Sequence, residues 1–237
     1  MIILPAIDLK GGVCVRLRQG RADDVTTYND DPAAQARDWR DQGGRELHVV
    51  DLDGAFAGTP RHADVIRTII AAFGGPVEVG GGIRTDEVAE RYLSLGVSRI
   101  ILGTAAVRDR DFLLRTVKKW GEKVAVGVDI KDGKVAVSGW TETCMPYREF
   151  LSYLEEIGVK TVIVTDISKD GLLQGANHEL YAELSRDYSF SVVASGGVSS
   201  QDDVKRLADA RLYGAIVGKA YYTGAIDLGE AIKEAKR

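Results

Sequence analysis

Short runs of apolar and β-branched residues recur along the chain at residues 2–7, 47–50, 77–79, 100–102, 124–128, 161–164, 192–194 and 215–217. Each is the length of a buried strand, and each leads into Gly or Asp, the residues that turn a chain out of a sheet. Amphipathic stretches lie between them. Asp31-Pro32 opens one, with a capping carboxylate and Pro at the first helical position. Thr85-Asp86-Glu87 and Ser200-Gln201-Asp202-Asp203 open two more, with acids where the helix dipole favours them. Residues 61–73, 109–119, 146–157, 177–187 and 225–235 complete the set. Eight strands alternating with eight helices predict a parallel sheet, either closed into a barrel or doubly wound and open.

An internal repeat favours closure. Val79-Gly80-Gly81-Gly82-Ile83 resembles Ala194-Ser195-Gly196-Gly197-Val198, and Ile101-Leu102-Gly103-Thr104-Ala105 resembles Ile216-Val217-Gly218-Lys219-Ala220. Val49-Val50-Asp51-Leu52 resembles Val164-Thr165-Asp166-Ile167, and all three pairs are 115 residues apart. Ala6-Ile7-Asp8-Leu9-Lys10 resembles Gly127-Val128-Asp129-Ile130-Lys131 at 121 residues, so the first loop of the N-terminal half is expected to be six residues longer. Two four-strand halves predict an α/β fold, a (β/α)8 TIM barrel with an internal two-fold half-barrel repeat, in one domain over residues 1–237.

Composition then narrows the class. Apolar residues are 45% and charged residues 28% of the 237, as in ordinary globular proteins. No apolar run reaches the ~18 residues of a membrane span, and the first strand has no basic flank, so it does not read as a signal peptide. A net charge of -4 without a basic block argues against a nucleic-acid surface. Cys14 and Cys144 are expected to be free thiols in the cytoplasm, and His48, His62 and His178 lack metal-ligand spacing. The expected protein is a monomer, without metal or cofactor, whose partner is a small anionic molecule.

Candidate chemistry falls at the C-terminal ends of the strands, where barrels of this kind carry function. Gly81-Gly82 and Gly103-Thr104 follow the third and fourth strands, and Ser195-Gly196-Gly197 and Gly218-Lys219 the seventh and eighth. Glycine lets backbone N–H groups approach a phosphate, although tight strand-to-helix turns need it too. The two sets stand on opposite sides of an eight-strand mouth, which predicts a ligand with a phosphate at each end. Asp8 and Asp129, ending strands 1 and 5, face each other between those ends and are candidates for general acid and base. Capping of the adjacent turns at Lys10-Gly11-Gly12 and Lys131-Asp132-Gly133 is the alternative. Asp51, Asp53, Asp166 and Asp170 are further acids after strands 2 and 6, with Asp170 able to bind hydroxyls or to form the Asp170-Gly171 turn. Trp140, beyond a short hairpin at 134–138, suits stacking on a heterocycle or partial burial by packing. Arg16 can reach a phosphate or a carboxamide, or stay solvated. His48, at an alternating position of strand 2, reads as a barrel-lining or core residue more readily than as a catalytic one.

These residues together resemble one family. Leu4-Pro5-Ala6-Ile7-Asp8-Leu9-Lys10, Cys14-Val15-Arg16-Leu17, Val50-Asp51-Leu52-Asp53-Gly54-Ala55, Val79-Gly80-Gly81-Gly82-Ile83-Arg84 and Asp166-Ile167-Ser168-Lys169-Asp170-Gly171 resemble the phosphoribosylformimino aminoimidazole carboxamide ribotide isomerases of histidine biosynthesis. The resemblance runs from Met1 to about Ala220. It implies a cofactor-free Amadori rearrangement of a bisphosphorylated aminoaldose to an aminoketose. It further implies that Asp129 protonates the ribose ring oxygen, that Asp8 removes the C2′ proton, that Trp140 packs on the imidazole carboxamide when its loop closes, and that Thr165 and Asp170 contact the reacting sugar. Two positions depart from the family pattern: Gly11 stands where Asp is common, and Leu172 where Thr is common. Three other readings stay open on the residues: an isomerase that also accepts phosphoribosyl anthranilate, the cyclase subunit of imidazole glycerol phosphate synthase, and a phosphosugar-binding barrel without activity.

Overall fold

The predicted apolar runs lie side by side as parallel strands that close on themselves. The computed structural model describes residues 1–17 and 24–236. Its strands are β1 (Ile2–Lys10), β2 (Val13–Leu17), β3 (Val25–Asn29), β4 (Leu47–Asp51), β5 (Val77–Gly80), β6 (Arg99–Leu102), β7 (Val124–Lys131), β8 (Lys134–Val137), β9 (Glu142–Pro146), β10 (Thr161–Asp166), β11 (Ser191–Ser195) and β12 (Gly214–Val217). Eight of them form a ring in the order β1, β4, β5, β6, β7, β10, β11, β12, closed by the β12–β1 pairing. The chain is therefore a (β/α)8 barrel. Strands buried on both faces carry apolar residues continuously, which is why they were visible as runs.

Two cores result. Leu4, Ala6, Ile101, Ala125, Ile163, Val193 and Ile216 fill the barrel, and a larger shell between strands and helices includes Trp39, Ile66, Phe73, Phe112, Phe150 and Tyr181. The helices begin where their caps stand. Asp31, Thr85, Asn177 and Ser200 each accept a first-turn N–H, and Ser200 with Asp203 forms a reciprocal capping box. The helix expected from residue 61 starts at Ala63, because His62 takes the non-helical N-cap backbone, and Asp51 Oδ2 accepts the N–H groups of Arg61 and His62 at 2.7 and 3.0 Å. No helix among the described residues is long and apolar enough to cross a membrane.

Two features depart from expectation. Each half-barrel opens with a hairpin, so β1 and β7 run past Asp8 and Asp129 instead of ending at them: Asp8 pairs with Val15 of β2, and Asp129 with Ala136 of β8. Strands β3 and β9 extend these hairpins. The longer first loop expected in the N-terminal half joins β2 to β3, and its residues 18–23 lie outside the described residues. Three short helices, Leu52–Ala57, Thr104–Arg108 and Lys219–Tyr222, also follow strands directly at the barrel mouth.

Candidate active site

Inward-facing residues at the C-terminal ends of the strands surround a cavity of about 320 Å³. Asp8 and Asp129 lie on strands four apart in the ring of eight, and so across the barrel from each other. Asp8 forms an ion pair with Arg16 Nη1 at 2.8 Å, and Arg16 Nη2 donates to the carbonyl of Ala6 at 3.0 Å. The hairpin sets this contact, since β2 folds back along β1 and returns Arg16 beside Asp8.

Asp129 has a different environment. Its Oδ2 accepts Trp140 Nε1–H at 2.7 Å, and its neighbour in the adjacent strand is Thr165. The carboxyl is deep in the cavity, where water solvates an anion poorly, so burial raises its pKa against the opposing pull of the Trp140 and Thr165 hydrogen bonds. Trp140 lies just beyond β8, as expected, in the turn that leads on to β9, where Ser138, Gly139 and Trp140 have φ of +56°, +65° and +69°. Left-handed backbone at a bulky residue costs on the order of 1 kcal/mol or more, and here it directs the indole N–H at the carboxyl. Asp170 is the third acid. The Asp170-Gly171 turn forms, with Gly171 at φ +68°, and Asp170 still faces the cavity. Burial and then the charges of Asp8 and Asp129 push its pKa up to about 6 against the pull of Arg16 and Lys219.

The glycine pairs are shaped by the fold as well as open to a ligand. A Cβ on Gly81 would lie 2.2 Å from the carbonyl oxygen of Asp51, and one on Gly196 2.8 Å from that of Asp166. A Cβ on Gly82 would lie 2.5 Å from Gly54 O, and one on Gly197 2.5 Å from Gly175 O. All four have positive φ. The requirement for tight turns therefore operates in both halves, at equivalent positions. Gly81→Ala is expected to destabilise the fold by at least about 2 kcal/mol, from strain at φ +111° plus the backbone clash, as read by urea unfolding. An unchanged midpoint would show that the loop carrying Asp51 yields freely.

Gly218 has another reason to be glycine. A Cβ there would fall 1.8 Å from Arg16 Nη2, so the guanidinium lies across this residue. Arg16 Nε is buried with no hydrogen-bond partner. Lys219 Nζ donates to the carbonyl of Gly171 at 2.7 Å, tying the eighth loop to the sixth, and Thr104 Oγ1 accepts Ser138 N–H at 3.0 Å. Asp8, Arg16, Gly81, Gly82, Gly103, Thr104, Asp129, Trp140, Thr165, Asp170, Ser195, Gly196, Gly197, Gly218 and Lys219 all line the one cavity.

Asp51, Asp53 and Asp166 do not line it. Asp51 caps the helix that follows it, Asp53 accepts from Gly11 N–H and meets His62, and Asp166 accepts from Ser168 and Asn177. The lining also includes His48, as its alternating position in strand 2 allowed, and Phe56 and Arg84, which were not singled out. Phe56 is 47% exposed at the lip, an apolar ring in water that hydropathy does not separate from core positions. Arg84 lies beside the Gly81-Gly82 loop and donates to Ala55 O at 3.2 Å, and its place directly after that loop was the available signal.

Comparison with known proteins agrees with this geometry. Residues 2–227 match the family described as "Histidine biosynthesis protein", and the chain belongs to that family. It is 50% identical over 233 residues (98% of this chain, 99% of the relative) to a protein of Ruminiclostridium cellulolyticum named 1-(5-phosphoribosyl)-5-((5-phosphoribosylamino)methylideneamino) imidazole-4-carboxamide isomerase. Relatives of the same name are 49% identical in Roseiflexus castenholzii, covering 98% of each chain, and 48% identical in Heliobacterium modesticaldum, covering 100% of this chain and 98% of the relative.

Proposed function

We propose that the chain catalyses the Amadori rearrangement of the bisphosphorylated aminoaldose ProFAR to the aminoketose PRFAR in histidine biosynthesis, without a cofactor. The observation that carries this reading is the pair of carboxyl groups facing each other across one cavity in contrasting surroundings, Asp8 against a guanidinium and Asp129 half-buried against an indole N–H. The names of the relatives supply the substrate.

The reaction needs a proton delivered and a proton removed. Asp129, whose raised pKa favours holding a proton, protonates the ribose ring oxygen and opens the ring to a Schiff base. Asp8 takes the C2′ proton, leaving an enolamine that tautomerises to the ketose. Thr165 and Asp170 bind the reacting sugar. The phosphates sit on opposite rims of the mouth. One meets backbone N–H groups of Gly81, Gly82, Gly103 and Thr104, with Arg84 beside them. The other meets Ser195, Gly196, Gly197, Gly218 and Lys219, with the unpartnered Nε of Arg16 close to Gly218. Trp140 leaves Asp129 to stack on the imidazole carboxamide as its loop closes, which also excludes water from the open-chain intermediate.

Trp140→Phe tests the acid assignment. It keeps an aromatic face and removes the N–H that favours ionised Asp129, so the carboxyl pKa rises further. The alkaline limb of the kcat/KM profile, set by loss of the acid's proton, is expected to move to higher pH. A limb that stays in place or moves down removes Asp129 as the proton donor. The reading as a whole is tested by following turnover of the aminoaldose spectrophotometrically, with phosphoribosyl anthranilate in a parallel assay. Conversion of the first supports the proposed activity, and conversion of both identifies a dual-substrate isomerase. Binding of the bisphosphate without conversion would overturn it.

A further inference from the structure

Beneath the cavity, the barrel interior carries a chain of charged side chains where apolar filling is the rule. It crosses three adjacent strands, because His48 of β4 is the register partner of Glu78 in β5, and Glu78 is the partner of Arg99 in β6. His48 Nδ1 meets Glu78 Oε1 at 2.7 Å, Arg99 Nε donates to Glu78 Oε2 at 2.8 Å, and Arg99 Nη2 meets Glu46 Oε2 at 3.1 Å. Tyr213 closes the far end, donating to Glu46 Oε1 at 2.8 Å. Glu78 is 3% exposed, whereas His48 lines the floor of the cavity. The chain thus runs from the face opposite the mouth to the place where a ligand would sit.

Such a network is seldom kept for stability, since well-packed apolar residues serve as well or better. Its chemistry suggests another reason. Burial alone would neutralise Glu78, but the hydrogen bonds from His48 and Arg99 and the guanidinium charge outweigh it and hold its pKa below the ordinary range. An ionised carboxylate only accepts, so His48 Nδ1 carries a proton and Nε2 is the nitrogen left for the cavity.

We infer that His48 contacts the substrate from the cavity floor, its Nε2 accepting a hydrogen bond from a hydroxyl of the opened sugar, and that Glu78, anchored by Arg99 and Glu46, is a positioning residue that selects the tautomer and holds the ring. This rests on the function proposed above. It adds a polar contact from the cavity floor to those of Asp8, Asp129, Thr165 and Asp170 above it. A near-attack geometry lost by about 1 Å costs on the order of a hundredfold in rate, which sets the scale of the effect.

Glu78→Gln has a specific consequence. Arg99 is a donor only, so the new amide must turn its oxygen to Arg99 and its NH2 to His48 Nδ1, which then has to accept. The proton moves to Nε2. Nitrogen-15 NMR of the imidazole is expected to show the two ring nitrogens exchange character, and kcat is expected to fall about tenfold to a hundredfold with KM changed less. His48→Phe keeps a ring without nitrogen and should lose a similar factor. His48→Gln, whose amide reaches the Nε2 position, should recover part of it. Glu78→Gln added to His48→Phe should lower kcat no further, because a residue acting through His48 has nothing left to position. If wild type turns over the aminoaldose and His48→Phe stays within about twofold of it, the inference is overturned while the function stands. An exchanged tautomer with unchanged kcat overturns it equally, as does an additive double variant. Should Glu78→Gln fail to fold, the His48 variants decide alone. Absence of turnover by wild type would overturn the functional reading itself.

Discussion

Asp8→Asn and Asp129→Asn are each expected to lower turnover by about 10³ to 10⁴-fold, while the bisphosphorylated ligand still binds. The substitution keeps size and most hydrogen bonds and removes the ability to exchange a proton. At Asp129 the amide oxygen can still accept Trp140 Nε1–H, so the hairpin turn keeps its contact and only the acid is lost. At Asp8 the ion pair with Arg16 is lost too, and the guanidinium keeps its bond to Ala6 O. Some loss of affinity on that side is therefore expected in Asp8→Asn and not in Asp129→Asn. Turnover assays with a separate binding measurement, such as titration calorimetry, distinguish the two effects. More than about 1% of wild-type activity in either variant would remove that residue from proton transfer.

Asp170→Asn is expected to make the protein more stable and less active. The Asp170 carboxyl has a pKa near 6 in the folded protein, pushed up from 3.8 by burial and by the charges of Asp8 and Asp129. In the unfolded chain it ionises freely from about pH 4. Between about pH 4 and about pH 6 the unfolded state therefore releases a proton that the folded state keeps, so stability falls as pH rises, and the cost remains in full above that window. An amide resembles the protonated acid and carries no such cost. At pH 7.5 the gain is on the order of 2 kcal/mol, after a discount for the solvent that enters the cavity, and it shrinks toward zero below pH 4. Urea unfolding of both proteins at pH 7.5 and pH 3.5 reads this difference. A gain of the same size at both pH values, or none at pH 7.5, would show that the carboxyl is not held against ionisation. Activity should fall in the same variant, because the strained acid is kept for its contact with the sugar and not for the fold.

Much of the architecture was legible along the chain. The eight ring strands read as continuous apolar runs, and the caps Asp31, Thr85, Asn177 and Ser200 stood where helices begin. What escaped was structure whose signal is not hydrophobic. Strand β3, Val25-Thr26-Thr27-Tyr28-Asn29, is exposed over its first three residues and exists by pairing with β2. The short helices at the mouth contain four to six residues, too few for a helical period to show. At the site, Asp8, Asp129, the glycine pairs and the repeat were visible as motifs, because a two-fold repeated barrel places equivalent positions opposite each other.

Residue order by itself determined the barrel, the two halves and the repeated motifs at the mouth, since periodicity and repetition are properties of order along a chain. Tertiary structure alone decided what surrounds each carboxyl: a guanidinium returned by one hairpin for Asp8, an indole held in left-handed backbone by the other for Asp129, and the neighbouring charges of Asp8 and Asp129 for Asp170. It alone revealed the line from Glu46 through Arg99 and Glu78 to His48, whose members lie 21 to 53 residues apart and meet by strand register. The physical reason is that proton affinity depends on burial and on charges within a few ångströms, and those distances exist only once the sheet has closed.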